Sequence, residues 1–354
     1  MKKKIAGAIL AAALLRIAVM AGAGEALGDW VREHGGDGQL VSATLNIELG
    51  GKESEAVSEV TEPPTASPEP ARESELSLLL VEVTPPPTPE PTPTPEPQPT
   101  PEVRAADLSA ANRIHDRTAL ATDFSMLAAE GLSLKLPEGQ PQVLIFHTHS
   151  SEAYTPDGSD VYEASDPYRT EDKAYSVIRV GDALAETLEK SGLSVLHDRE
   201  IYDYPSYTGS YNRSGAAVEA YLAQYPSIRV VIDLHRDALG SGDVVYKTKA
   251  QLDGRTSAQV MMVIGTGENG LWHPYWKENL KLAMYLQDAM DTRYPTLARP
   301  IELVSERYNQ QLSTGMMILE VGSNGNTLRE AITAATLFGE AAGPALAALV
   351  QSAD

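Results

Sequence analysis

From residue 141 to the end of the chain, short apolar runs alternate with longer segments whose apolar residues recur at helical spacing. The short runs are typical of buried strands, and the helical spacing is typical of amphipathic helices. The predicted strands are residues 141–149, 193–200, 228–238, 244–249, 258–265 and 316–324, and the predicted helices are residues 174–192, 211–226, 276–295 and 327–351. Strands that alternate with helices predict an α/β fold, in which a mostly parallel, twisted sheet is flanked by helices.

Residues 1–27 have the pattern of a targeting segment. The residues MKKK precede an apolar run that Arg16 interrupts, and no acidic residue occurs before Glu25. This pattern predicts a secretory signal, with small residues at 21–23 as its cleavage site, or a membrane anchor of about 20 residues. An amphipathic helix of a cytosolic protein is disfavoured by the lysine cluster and by the absence of acids. We therefore expect the protein to act outside the cytoplasm, either secreted or membrane-anchored.

Residues 28–105 have the composition of a disordered linker that is acidic and rich in proline. Its last part, TPPPTPEPTPTPEPQPTPE at residues 84–102, repeats proline, which blocks helices and lacks a backbone donor. Such a stretch favours the extended polyproline II conformation and cannot build a packed core. A strand-like pattern occurs at residues 43–51, ATLNIELGG. The folded domain is accordingly predicted at residues 106–354.

The amino-acid composition limits the partners, metal ligands and nucleophiles that this protein can have. The formal net charge is −21, and no basic stripe occurs in the predicted domain, so a nucleic-acid partner is excluded. The chain has no cysteine, which rules out disulfides, thiolate metal sites and a cysteine nucleophile. Any metal ion must be held by histidine, aspartate or glutamate side chains.

Side chains that can bind metal follow three of the predicted strands. His149 comes shortly after VLIF, His235 follows VVIDL, and Glu320 follows MMIL. Because ligands gather at the carboxyl ends of parallel strands, we expect these side chains to meet at one edge of the sheet. Two imidazoles and a carboxylate form the ligand set of a catalytic zinc that keeps one position open for water.

Two glutamates are candidates for different roles at this edge. Glu152 lies three residues after His149, and this spacing lets both side chains face one ion if a turn or helix begins directly after the histidine. Glu320 is the candidate general base, which would accept a proton from water. Because a buried charge needs a partner, a structural ion pair between Glu320 and Arg307 is the alternative. For His147, a structural hydrogen bond at the strand end is the alternative to metal binding.

Five motifs in order carry a resemblance to a known family: HTHSSEAY, TEDKAYSVIRVGDAL, VIDLHRDA, SERYNQQL and ILEVGSNGNT. Together they resemble the stage II sporulation protein P family over about residues 108–350. That family is similar to the zinc-dependent N-acetylmuramoyl-L-alanine amidases. The resemblance therefore implies an amidase-like catalytic domain with Zn²⁺ as its cofactor. The implied reaction cleaves the amide bond between N-acetylmuramic acid and the stem peptide of peptidoglycan, and also peptide crosslinks.

The resemblance also implies roles for individual residues. His149 and His235 match the ligand histidines of the amidases, and Glu320 matches their catalytic glutamate. Ordinary amidases take their carboxylate ligand from the start of the first helix, which corresponds to Glu171. The His-x-x-Glu spacing, which also occurs in zinc carboxypeptidases, favours Glu152. We expect Glu152 to be the ligand and keep Glu171 as the alternative.

Two arginines are further catalytic candidates. Arg236 or Arg307 would stabilise the oxyanion of the tetrahedral intermediate or hold a carboxylate of the stem peptide. A structural ion pair with one of the many acids is the alternative for either residue.

The family resemblance implies a setting and partners as well. The protein would be anchored by its N-terminal segment in the space between mother cell and forespore during engulfment. Its partners would be peptidoglycan and stage II sporulation proteins D and M. Two other functions remain open: an inactive peptidoglycan-binding scaffold, and a zinc carboxypeptidase that acts on cell-wall peptides.

Overall fold

The computed structural model describes residues 102–106, 113–241, 244–252 and 254–351. The predicted targeting segment, residues 28–101 of the predicted linker and the predicted strand at 43–51 lie outside the described residues. The junction between the predicted linker and the predicted domain lies within strand β1, Glu102–Ala106, which pairs in parallel with strand β8, Val244–Thr248.

The elements alternate along the chain as the pattern predicts. The other strands are β2 (Ile114–Asp116), β3 (Leu136–Pro137), β4 (Val143–Phe146), β5 (Val195–His197), β6 (Val230–Asp237), β7 (Gly240–Ser241), β9 (Ala250–Leu252), β10 (Arg255–Ser257), β11 (Val260–Gly265), β12 (Ile301–Val304), β13 (Met316–Ser323) and β14 (Val350–Gln351). The α-helices are α1 (Phe124–Glu130), α2 (Val177–Lys190), α3 (Ser210–Gln224), α4 (Trp276–Arg293) and α5 (Leu328–Ala347), and a 3-10 turn covers Gln310–Leu312. Of the helices in the described ranges, none is both long and apolar enough to cross a membrane.

The main sheet has seven strands in the order β2-β12-β11-β13-β6-β4-β5. Five of its neighbouring pairs are parallel, and only β11 and β13 are antiparallel. The predicted α/β fold with a mostly parallel sheet flanked by helices is therefore confirmed. The sequence pattern did not reveal the short strands β2 and β12, nor that β11 runs against β13.

Both faces of the sheet are covered. Alternate residues of its central strands point to opposite faces, so each strand contributes to two cores. In β6, Val230, Ile232 and Leu234 belong to the larger core, which α2, α4 and α5 complete. Val231 lies on the other face, in a smaller core that includes α3. The same alternation directs His235 to the face that α3 covers.

Helix α2 illustrates how the pattern specifies its element. The Ser176 side chain accepts a hydrogen bond from the Ile178 backbone N–H and caps the first turn. The residues that recur at helical spacing, and are fully buried, are Val177, Val180, Leu184 and Leu188. The helix ends at Lys190, and Gly192 beyond it has φ 86°, the left-handed conformation that glycine favours.

We expect Leu184→Ala to lower the free energy of unfolding by about 2–5 kcal/mol, because it leaves a cavity between α2 and the sheet. Arg179→Ala changes an exposed position of the same helix and should alter that free energy by less than about 0.5 kcal/mol. Leucine, arginine and alanine are all good helix formers, so helix propensity does not explain the difference. Urea unfolding measures both values, and equal losses would contradict the described packing.

Candidate metal centre

Three parallel strands carry the candidate residues to one edge of the sheet. Strands β4, β6 and β13 are neighbours and parallel, so their carboxyl ends lie together. Glu320 of β13 pairs in register with His235 of β6. The register with β6 shifts between Glu320 and Ser323, at a β-bulge or a similar irregularity. Bulges of this kind are over-represented beside active sites, where they redirect side chains.

His149, Glu152 and His235 form a compact cluster. Each residue offers one ligand atom, and the three atoms lie within 4.8 Å of one another. The Nδ1 atom of His149 is 3.5 Å from Glu152 Oε1, and the Nδ1 atom of His235 is 3.4 Å from Glu152 Oε2. In a tetrahedral zinc site with bonds of about 2.0–2.1 Å, neighbouring ligand atoms are about 3.3–3.4 Å apart. The cluster therefore has the donor types of a zinc site, and its ligand atoms lie close enough together to contact one ion.

A turn directly after β4 brings Glu152 beside His149. The backbone N–H of Glu152 donates to the carbonyl of His149 over 3.1 Å, which closes a tight turn. The backbone N–H of Val177, the first residue of α2, donates to the Glu152 carbonyl over 2.8 Å. The turn and the start of α2 together fix the backbone on both sides of the carboxylate.

The carboxylate of Glu152 is buried but well compensated. Its Oε2 accepts from the Arg236 backbone N–H at 3.1 Å, and its Oε1 lies 3.4 Å from Arg169 Nη2. Burial opposes the charged form, but the positive charge of Arg236 and hydrogen bonds from His149 and His235 outweigh it and hold the pKa of Glu152 well below its usual value. Glu152 is therefore present as a carboxylate, the form that binds metal.

Asp233 orients the imidazole of His235. Its Oδ1 lies 2.8 Å from His235 Nε2, which leaves Nδ1 to face Glu152. The same carboxylate accepts from the backbone N–H and the hydroxyl of Thr148, at 2.8 and 2.7 Å. Burial opposes protonation of His235, yet the negative charge of Asp233 raises its pKa well above the usual value. A carboxylate behind a ligand histidine is the usual support of a zinc-binding imidazole.

Aromatic rings surround His149. Tyr207 stacks on it with ring centroids 4.5 Å apart, and Tyr211 meets it edge-on at 5.5 Å. The Arg169 guanidinium lies 5.0 Å from the Tyr207 ring centroid, and its Nη1 is 2.6 Å from Asp203 Oδ2. The contact with Arg169 and the ion pair behind it support the Tyr207 ring that stacks on His149.

The side chain of Glu320 is partly buried, and the charges of His235 and Arg236 offset only part of the effects that raise its pKa. Its Oε2 is shielded from solvent and has no hydrogen-bond partner. Burial and the negative charge of Asp237 raise the pKa of Glu320 to about 8. Within the described part of the chain no arginine lies at ion-pair distance from Glu320, so the structural pair with Arg307 does not form there. Unpaired buried carboxyls with raised pKa values are concentrated at functional sites.

Arg236 and Arg307 have different surroundings. The guanidinium of Arg236 is nearly buried and donates to the backbone carbonyls of Ala153 and Tyr168, at 3.0 and 3.1 Å. Arg307 follows β12 and is partly exposed, and its Nη1 donates to the Trp272 carbonyl at 3.3 Å.

Arg307 lies close in sequence to the aromatic rings at the centre. The Tyr308 ring is 5.6 Å from the Tyr211 ring, which also meets His149. Glu171, the alternative ligand, is exposed and is not a member of the cluster.

Sequence reasoning missed four residues that support the cluster. Asp233 had a usable signal, since it is a charged residue inside an apolar strand and the two-residue period sets it on the same face as His235. Arg169, Asp203 and Tyr207 lie in loops, where no periodicity relates them to the strand ends.

Comparison with known proteins supports one family. The family model described as Stage II sporulation protein P (SpoIIP) matches residues 67–342. Stage II sporulation protein P of Bacillus subtilis (strain 168) is 29% identical over 213 residues, which are 56% of this chain and 50% of the relative. The chain thus spans about half the length of this curated relative.

Solved structures of amidases are also similar. An N-acetylmuramoyl-L-alanine amidase from Clostridium difficile 630 is 14% identical with a TM-score of 0.33, covering 60% of this chain and 96% of that one. The CwlD amidase from Clostridioides difficile, solved in complex with the GerS lipoprotein, is 13% identical with a TM-score of 0.34, covering 58% and 94%.

The two candidate carboxylate ligands can be separated by neutral substitutions. Glu152→Gln removes the charge from the centre of the cluster, so zinc affinity should fall by more than the about 10–100-fold that changes outside the ligand shell cost. Glu171→Gln alters an exposed side chain and should leave zinc affinity unchanged. Competition with a chromophoric chelator measures both affinities, and circular dichroism checks the fold. Loss of zinc from Glu171→Gln and its retention by Glu152→Gln would contradict the assignment.

Proposed function

The chain belongs to the stage II sporulation protein P family, and on this premise we propose that it is a zinc-dependent peptidoglycan hydrolase that cleaves the N-acetylmuramoyl-L-alanine amide bond. One observation carries the proposal: the ligand atoms of His149, Glu152 and His235 lie within 4.8 Å of one another. Beside them, in register with His235, stands the carboxyl group of Glu320. This is the arrangement that metal-assisted amide hydrolysis requires, with a ligand set and a separate base.

His149, Glu152 and His235 are the proposed zinc ligands. When bound, zinc polarises the scissile carbonyl and lowers the pKa of a water molecule. The buried carboxylate of Glu152 favours a cation, and Asp233 keeps the Nδ1 atom of His235 directed at the cluster. Cysteine is absent from the chain, so the donor set consists of nitrogen and oxygen alone.

Glu320 is the proposed general base and acid. It accepts a proton from the attacking water as the new carbon–oxygen bond forms at the carbonyl. It then gives the proton to the amide nitrogen, which leaves as an amine when the carbon–nitrogen bond breaks. The raised pKa of about 8 favours the protonated form, which donates to the leaving amine. A cation in the cluster would lower that pKa and favour the carboxylate, the form that accepts the first proton.

The two arginines have separate proposed roles. Arg236 positions Glu152 through its backbone N–H, and its guanidinium holds the loops that carry Ala153 and Tyr168. Arg307 is partly exposed and directly precedes Tyr308, whose ring meets Tyr211, and it is the arginine that we assign to a carboxylate of the stem peptide or to the oxyanion.

The proposed setting follows from the N-terminal sequence and the family. Residues 1–27 would target or anchor the protein outside the cytoplasm, and residues 28–105 would connect the anchor to the catalytic domain. The site of action would be the space between mother cell and forespore, with stage II sporulation proteins D and M as partners. Peptide crosslinks of peptidoglycan are a second proposed substrate.

Glu320→Gln preserves the size of the side chain but cannot accept a proton. We expect zinc content to be unchanged and turnover to fall by about 10²–10⁴-fold, the usual effect of losing acid–base catalysis. The assay is mass spectrometry of muropeptides after incubation with the full chain and zinc. Wild-type protein should release intact stem peptides and sugars with free lactyl carboxyl groups. Glu219→Gln, at an exposed position of α3, is the matched control and should retain full turnover.

The same assay separates the other functions. Loss of C-terminal amino acids from the stem peptide would identify a carboxypeptidase instead. Binding of peptidoglycan without any product, by protein loaded with zinc, would identify a scaffold. Full turnover by Glu320→Gln would contradict the proposed role of Glu320. It would not affect the conclusion about which bond is cleaved.

A further inference from the structure

A chain of hydrogen-bonded polar side chains, which begins at the buried His147, lies next to the candidate metal centre, and no step of the proposed reaction uses it. His147 is fully buried at the end of β4, with Nδ1 2.8 Å from the Leu234 carbonyl and Nε2 2.8 Å from His197 Nε2. The Nδ1 atom of His197 is 3.1 Å from Asp182 Oδ1, and Arg199 forms an ion pair with the same carboxylate. We call His147, His197 and Asp182 the histidine chain.

The hydrogen-bond partners determine where the protons of the histidine chain lie. The Leu234 carbonyl only accepts, so His147 Nδ1 carries hydrogen, and the Asp182 carboxylate requires hydrogen on His197 Nδ1 in the same way. Between the two Nε2 atoms one nitrogen must donate and the other accept. One hydrogen bond therefore joins the two rings, and a second joins His197 to Asp182.

The histidine chain touches the backbone next to each proposed ligand. His147 precedes His149 by two residues in the same strand end. The Leu234 carbonyl, to which His147 donates, belongs to the residue directly before His235. Asp182 lies on α2, whose first backbone N–H donates to the Glu152 carbonyl. One connected set of hydrogen bonds thus links β4, β6 and α2, the three elements that fix the cluster.

Gly181 permits this contact. A Cβ atom at position 181 would lie 2.6 Å from His197 Nε2 and 2.7 Å from His147 Nε2, closer than side-chain atoms can approach. Glycine inside a helix is less favourable than alanine. Its presence in the middle of α2 is explained by the close approach of the helix to the two imidazoles.

We propose that His147, His197 and Asp182 are positioning residues, which hold the backbones of the three zinc ligands at the spacing that the ion needs. This inference rests on the proposed zinc site. It assigns a role to His197, which has no contact with that site except through His147, and to Gly181, which has no polar side chain at all.

The test uses His197→Ala and Gly181→Ala in the full chain. His197→Ala removes the link between His147 and Asp182, and Gly181→Ala forces the rings apart while it adds a better helix former. Each should weaken zinc binding by about 10–100-fold, the range for residues that support metal ligands. Each should also change the visible absorption bands of the cobalt-substituted protein, which report ligand geometry. Glu186→Ala, at an exposed position of the same helix, is the matched control and should change neither.

The outcomes are distinguishable. Folded variants that bind zinc within twofold of wild type, with unaltered cobalt bands, would overturn the positioning role and leave the zinc site intact. Wild-type protein that binds no zinc would overturn the proposed function itself.

A separate measurement applies if a variant fails to fold. Nitrogen-15 spectra of wild-type protein labelled at its 7 histidines should show one ring protonated at Nδ1 and coupled through its bare Nε2 to a second imidazole. Absence of that coupling would also overturn the proposal.

Discussion

The burial of the Glu152 carboxylate is the constraint on which the candidate centre depends. Removing a carboxylate from water costs several kcal/mol unless charges and hydrogen-bond donors replace the solvent. Here the replacements come from separate parts of the chain: the backbone and guanidinium of Arg236 on β6, Arg169 from a loop, and the two imidazoles. A single buried carboxylate therefore contacts a strand, a turn and a loop. Its negative charge lies where a cation would bind.

The sheet supplies the frame for this charge. Because β4, β6 and β13 are parallel neighbours, the polar residues at their carboxyl ends lie close together. The register pairs Glu320 with His235. Glu320 differs from Glu152 in having one oxygen without any partner and a pKa raised to about 8. The two carboxyl groups thus have opposite environments: the pKa of Glu152 is lowered, and the pKa of Glu320 is raised. That division matches the separate roles of ligand and base.

Much of this arrangement could be predicted from the sequence, since strand ends and helical spacing depend on local order. The elements that carry His149, His235 and Glu320 were predicted. A turn or helix directly after His149 was the stated condition for Glu152 to lie beside it, and the structure has a turn there. The direction of β11 was not predicted, because an apolar run does not indicate whether its strand is parallel or antiparallel to its neighbours. It takes the long-range pairing with β13 to reverse it.

Side chains from loops escaped prediction for a related reason. Arg169 and Asp203 meet at the centre through a path that no short-range pattern encodes. His197 follows an apolar run just as His149 does, and sequence alone could not show that it lies behind the centre and contacts His147. Residues whose partners are distant in sequence are those that the structure had to reveal.

His149, Glu152 and His235 are proposed to hold one metal ion. Anomalous diffraction at the zinc absorption edge, from crystals grown with zinc, tests it directly. We expect a strong anomalous peak about 2.0–2.2 Å from the Nδ1 atoms of both histidines and from a carboxylate oxygen of Glu152. A zinc-loaded, active protein whose peak lies elsewhere, or is bound by Glu171 in place of Glu152, would contradict it.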